Sequence, residues 1–141
     1  MTLIGEVMSK LFMLFVCFGF LVISGCSREV ETSELVGNYL ANHGRGIDEL
    51  EIKADGTYLH TYKSSLEGDE TAFSYTESWA LVQDSNRIVL NHYIQGWPWR
   101  PGTEVDMTPR NMNTFVKRSL FSGKVKILID VDSNYYYKKQ E

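Results

Sequence analysis

From Leu35 to the C-terminus, apolar and polar residues alternate in short runs separated by turn-forming residues. A repeat of two residues gives a strand with one dry and one wet face. The clearest run sets Leu50, Ile52 and Ala54 against Glu49, Glu51, Lys53 and Asp55. Asp55-Gly56 then supplies positive-φ turn chemistry, and residues 57–63 return with Tyr58, His60 and Tyr62 on one side, which predicts a β-hairpin. A first strand over 35–41 precedes it, closed by the loop Asn42-His43-Gly44-Arg45-Gly46.

The later chain repeats the same grammar. Residues 64–70 form a polar loop, after which Phe73, Tyr75, Glu77, Trp79 and Leu81 share one face of a long strand. Asp84-Ser85-Asn86 turns the chain into 87–93, where Ile88 and Leu90 face inward. Residues 95–113 break the spacing and hold Pro98, Pro101 and Pro109, so they are no central strand throughout. Extended structure resumes over 113–118. Ser122-Gly123 leads into 124–131, where Val125, Ile127, Ile129 and Val131 alternate with Lys126, Leu128 and Asp130. Asp132-Ser133-Asn134 makes the last turn before a strand over 135–139. About eight strands joined by hairpin-length turns make an all-β, antiparallel up-and-down meander. Such a meander hides its edges best by closing into a small barrel, with a two-sheet β-sandwich as the alternative. Ile52, Tyr58, Trp79, Ile127 and Ile129 fall on the predicted inward faces.

The N-terminal segment follows another rule. Residues 11–25 are uncharged and end in Leu21-Val22-Ile23-Ser24-Gly25-Cys26. Fifteen residues, 11 to 25, fall short of the roughly 20 that cross a bilayer and match the apolar part of a signal peptide. The hexapeptide resembles a bacterial lipobox, which implies cleavage between Gly25 and Cys26 and lipid attachment, palmitate included, at Cys26. Residues 1–25 then form a lipoprotein signal peptide, expected as a loose apolar helix, and 26–34 a polar tether. Residues 35–141 form the barrel domain. Glu6 beside Lys10 fits a leader poorly, and Met8 would make a more ordinary start. Ser27 follows the lipidated Cys where Asp would favour inner-membrane retention; the resemblance therefore implies the outer membrane, facing the periplasm, in a Gram-negative cell.

Gly37-Asn38-Tyr39, the run from Leu50 through Asp55-Gly56-Thr57-Tyr58, and Glu77-Ser78-Trp79 together resemble small lipocalin-like bacterial lipoproteins. The likeness spans most of residues 35–139 and implies a small barrel. Lipocalins proper carry Gly-x-Trp where this chain has Tyr39, and an Arg where it has Lys138 and Lys139.

Charge and cysteine content narrow the chemistry. The net charge is −4, with no basic run, which argues against a nucleic-acid partner and offers no polybasic stretch for anionic lipid. Cys17 and Cys26 both precede the domain, so it has neither a disulfide nor a cysteine metal site. His43, His60 and His92 are isolated in sequence; His60 and His92 could share a cavity, but hydrogen-bonded strand histidines explain them as well. The acidic stretch from Asp130 to Asn134 lacks the Gly that a calcium loop needs, having Tyr135 there. No hydrolase motif occurs, so no catalytic residue, metal or cofactor is assigned.

The remaining signal is aromatic. Tyr93, Trp97, Trp99 and Arg100 surround a proline-stiffened loop whose rings either plug one barrel end or present a binding rim. The sequence thus predicts a non-enzymatic, membrane-anchored envelope lipoprotein. Its leading candidate ligand is a small apolar molecule in a cavity walled by Tyr58, Tyr62 or Trp79, with the loop around Trp97 and Trp99 at its mouth. The alternative is an envelope-protein partner met by the Trp97/Trp99 loop, as in an assembly factor, inhibitor or immunity protein.

Overall fold

The computed structural model describes residues 29–42, 44–68, 70–96, 106–119, 122–130 and 135–141. A short helix α1 (Thr32–Leu35) precedes eight strands: β1 (Gly37–Asn42), β2 (Gly46–Ile52), β3 (Thr57–Ser64), β4 (Ala72–Val82), β5 (Arg87–Tyr93), β6 (Arg110–Arg118), β7 (Val125–Asp130) and β8 (Tyr135–Lys139). Each strand pairs antiparallel with its neighbour in sequence, and β8 closes on β1 through Tyr39↔Lys139 and Leu40↔Lys138. The predicted meander is therefore a closed barrel, not an open sandwich. The signal segment, with Gly25 and Cys26, lies outside the described residues.

Alternation decides what is inside. β2 follows Asp48, Leu50 and Ile52 on the buried row with exposed or half-buried acids between them, and β3 answers with Tyr58, His60 and Tyr62. Ile88, Leu90, Val116, Val125, Ile127 and Tyr137 complete the core from the later strands. Each fully buried aliphatic side chain contributes about 1.5–3 kcal/mol. The β2–β3 hairpin differs from a two-residue turn: Gly56 N–H donates to the Lys53 carbonyl at 3.3 Å, and only Gly56 has positive φ, at 83°. That is a three-residue loop ending in a glycine bulge. The Asp55 carboxylate secures it by accepting from the Thr57 N–H and hydroxyl at 2.9 and 2.6 Å, which holds its carboxyl below the usual range.

The meander sorts the connections into two ends. The β2–β3, β4–β5 and β6–β7 turns lie at the end where β1 begins, here the tether end; the other connections lie at the loop end. Residues 30–35, split in the sequence reading between tether and first strand, close the tether end instead. Val30 and Leu35 are buried in the core, and α1 replaces the predicted opening of the strand. The helix is fixed from several sides: Glu31 N–H donates to the Glu34 carboxylate, Arg118 donates twice to the same carboxylate at 2.7 and 2.8 Å, and Val30 N–H donates to Asn86 Oδ1 at 3.0 Å.

Two further departures have local causes. β6 begins at Arg110, three residues before the predicted start, because pairing resumes directly after Pro109. In β7 the register shifts between Leu128 and Asp130, so Ile129 is only half-buried, whereas Leu128 on the outer row is 6% exposed. Ile129 thus packs at the edge of the core and not in its centre.

Candidate functional site

Toward the loop end the barrel interior turns polar. Asp48 of β2 and His60 of β3 are both fully buried, and His60 Nε2 lies 2.8 Å from Asp48 Oδ1. The Tyr137 hydroxyl of β8 donates to the same carboxylate oxygen. Tyr93 of β5 hydrogen-bonds the Tyr137 hydroxyl at 2.9 Å, and its ring stacks on His60 at 4.7 Å between centroids. On the other side His60 Nδ1 meets the Tyr75 hydroxyl at 2.9 Å, and that oxygen accepts the Ile94 N–H at 2.7 Å. With Nε2–H donating to Asp48, the Tyr75 O–H donates to Nδ1, and the Tyr137 oxygen lies 3.2 Å from the same Nε2.

The electrostatics follow from enclosure. Burial first, then the nearby Asp48 charge, pushes the Tyr93 and Tyr137 phenols well above their ordinary value. Tyr75 is raised too, chiefly by burial. His, Asp and Tyr are the residue types of general acid–base chemistry. Here Asp48, His60 and Tyr137 are each 0% exposed. What the set does in this geometry is bind five strands, β2, β3, β4, β5 and β8, to one another.

That linkage falls where the backbone ladder is short. β4 pairs with β3 up to Thr57↔Ser78, but with β5 only from Trp79↔Leu90 to Val82↔Arg87. Side chains span the remaining seam: Tyr75 to Ile94, Asn91 Nδ2 to the Ser78 hydroxyl at 2.8 Å, and His92 Nδ1 to Glu77 at 3.2 Å. His92, at φ 51°, lies on the exposed outside of this seam, so it shares no cavity with His60. Beyond the seam, Gly96 lies flat against the Tyr62 ring; a Cβ there would come within 2.3 Å of it. Only glycine allows this approach.

The predicted binding residues therefore divide. Tyr58, Tyr62, Trp79 and Tyr93 are all buried and point inward, where they pack into the barrel interior. Tyr58 donates to the Asn91 carbonyl at 2.7 Å, and Trp79 Nε1 donates to the Lys53 carbonyl at 3.0 Å, near the tether end. Trp79 and Tyr62 consequently sit toward opposite ends and form no common site. Trp97, Trp99 and Arg100 lie outside the described residues, as does His43. A shallow pocket of about 190 Å³ opens at the loop end between Tyr93, Gln95, Met112 and Ile129, with the Asp106–Arg110 ion pair on its rim.

Asp48, Tyr75 and Tyr137 were not singled out by sequence. The signal for Asp48 was present: it stands two before Leu50 and four before Ile52, on the dry row. Tyr75 shares its predicted strand face with Trp79, and nothing in the sequence gives it a role. Tyr137 lies in Tyr135-Tyr136-Tyr137, where three like residues hide the alternation. Comparison with protein-family models, with curated proteins and with solved structures gives no match.

Proposed function

We propose that this chain is a lipid-anchored β-barrel of the bacterial cell envelope, attached through Cys26, that works without catalysis as an interaction module for another envelope protein. The observation that carries the choice of module over carrier is the filled interior. Tyr39, Tyr58, Tyr62, Tyr137, His60 and Asp48 are all under 2% exposed and occupy the space a ligand would need. Small-molecule sites usually enclose about 300–1,000 Å³; the loop-end pocket measures about 190 Å³, and a larger depression of about 440 Å³ lies outside the barrel, over Leu40, Glu49, Glu51, Leu59 and Thr61 of β1–β3. An apolar cargo would also meet an Asp–His–Tyr network in place of an apolar lining. The segment bearing Trp97, Trp99 and Arg100 joins the barrel at its loop end, between Gly96 and Asp106. Trp and Arg are enriched at protein-binding hot spots. The lipobox resemblance supports the anchor and, with Ser27, the periplasmic face of an outer membrane.

Two measurements test the parts separately. Cys26→Ser should abolish metabolic palmitate labelling; a variant that still labels overturns the anchor. Titration of the full chain with a small apolar fluorophore should show no saturable binding. Saturation, competed by fatty acid, would restore the carrier.

A further inference from the structure

The outer surface of β6, β7 and β8 assembles a cationic row that no stretch of sequence displays. Lys117 pairs directly with Lys126, and Lys126 pairs directly with Lys138, so three ammonium groups stand side by side across three strands. Like charges opposite one another destabilise a sheet, and the chain as a whole is acidic, at −4. Among the described residues no carboxylate pairs with any of the three; the nearby Arg118 and Lys124 are engaged by Glu34 and Glu141. The row rests on aromatic support instead. Lys126 and Lys138 Nζ lie 4.5 and 5.4 Å from the centre of the Tyr136 ring, and the Arg87 guanidinium lies 4.5 Å over Phe115 on the neighbouring row. Phe115 is itself 39% exposed.

We infer that this face docks on the anionic surface of a phospholipid bilayer, its lysines meeting headgroup phosphates and Tyr136 and Phe115 meeting the interfacial zone. Charge complementarity is the first reason: cations fringed by the exposed Phe115 ring and the half-buried Tyr136 ring match a negatively charged interface. Position is the second. Lys117, Lys126 and Lys138 all lie near the tether end, where Arg118 and Lys139 hold α1 through Glu34. This second argument rests on the anchor proposed at Cys26: three residues separate it from Val30, and four residue steps reach at most about 14 Å. An anchored chain therefore keeps this end of the barrel at the headgroups, and the cation row orients it there.

The test uses the full chain and vesicles of phosphatidylcholine alone or with 30 mol% phosphatidylglycerol. The apolar segment at 11–25 meets both alike, so the readout is the ratio of the two partition coefficients. Each basic residue near an anionic surface contributes about fivefold, so Lys126→Gln/Lys138→Gln should lower the ratio by about 25-fold. The control Lys63→Gln/Arg110→Gln removes equal charge at the loop end and should leave the ratio within about twofold. Raising salt to 0.5 M should also collapse the ratio in the parent chain. A parent chain with no preference for phosphatidylglycerol, or one whose preference survives in the row variant, overturns the proposal. An acidic protein that binds the row without any vesicle preference would overturn it too. Cys26 is intact in every arm, so failed palmitate labelling removes the anchor while the vesicle ratio still judges the row.

Discussion

Asp48→Ala probes the interior network most directly. It removes the acceptor of both His60 Nε2–H and Tyr137 O–H at a fully buried position. A buried polar group left unsatisfied costs about 1–3 kcal/mol, which gives about 2–6 kcal/mol for two. The upper part of that range is relieved because His60 Nε2–H can turn to the Tyr137 oxygen, 3.2 Å away, which leaves one hydroxyl hydrogen without an acceptor. The expected loss is therefore about 2–4 kcal/mol, a large share of the roughly 5–15 kcal/mol that holds an ordinary domain folded. Urea denaturation should show the midpoint falling by about 1–2 M at a typical slope. Asp48→Asn, which keeps an oxygen acceptor and the shape, should lose less than half as much. Glu49→Ala, on the exposed row beside it, should stay within about 0.5 kcal/mol. An Asp48→Ala midpoint matching that of Glu49→Ala would refute the network as a source of stability.

Alkali should unfold the barrel through the same residues. Tyr93 and Tyr137 are raised above 10.0 by folding, so their contribution is complete below pH 10 and lost as pH climbs beyond it. The loss is on the order of 1–2 kcal/mol for each by pH 11, and a stability flat from pH 8 to 11 would contradict their burial as neutral phenols. In β7, Ile127→Ala should cost about 2–5 kcal/mol and Ile129→Ala less than half of that, because the register shift leaves Ile129 half-buried. Equal losses in denaturation would place both in the core and remove the bulge.

The strand order was legible because a period of two with turn residues between runs states both the element and its dry face. Ile52, Tyr58, Ile88, Leu90 and Ile127 are buried as the alternation predicts. What escaped was structure without a period. Helix α1 is four residues long, too short to show one, and its only signals are Glu34 reaching back to Glu31 and two apolar residues, Val30 and Leu35, in a polar stretch. Polar residues on dry rows escaped for the opposite reason. Asp48 and Thr114 read as breaks in the pattern, yet both face inward, with Thr114 donating its hydroxyl to the Leu128 carbonyl. The lysine row was hidden because alternation gives the face of a strand but not its register against the next one. Only the pairing Lys117↔Lys126↔Lys138 brings those charges together.

A polar network is a costly way to fill a barrel, since apolar side chains of similar volume would often be as stable or more so. Its position offers the compensating reason. A meander of short strands is exposed to register slips, and a slip of one residue would turn every inward side chain outward. Where the β4–β5 ladder runs out, backbone pairing no longer guards against this. Asp48, His60, Tyr75, Tyr93 and Tyr137 meet there from five strands, and each has its partner in one alignment only. Any slip would strand a buried carboxylate or imidazole, a penalty larger than the loss of an apolar contact. The tether end needs no such device: its ladder is continuous at Trp79–Val82, and Val30 and Leu35 close it with apolar packing. The barrel is thus fixed by packing at the end nearest the proposed membrane anchor, and by hydrogen-bonded register at the end that carries its loops.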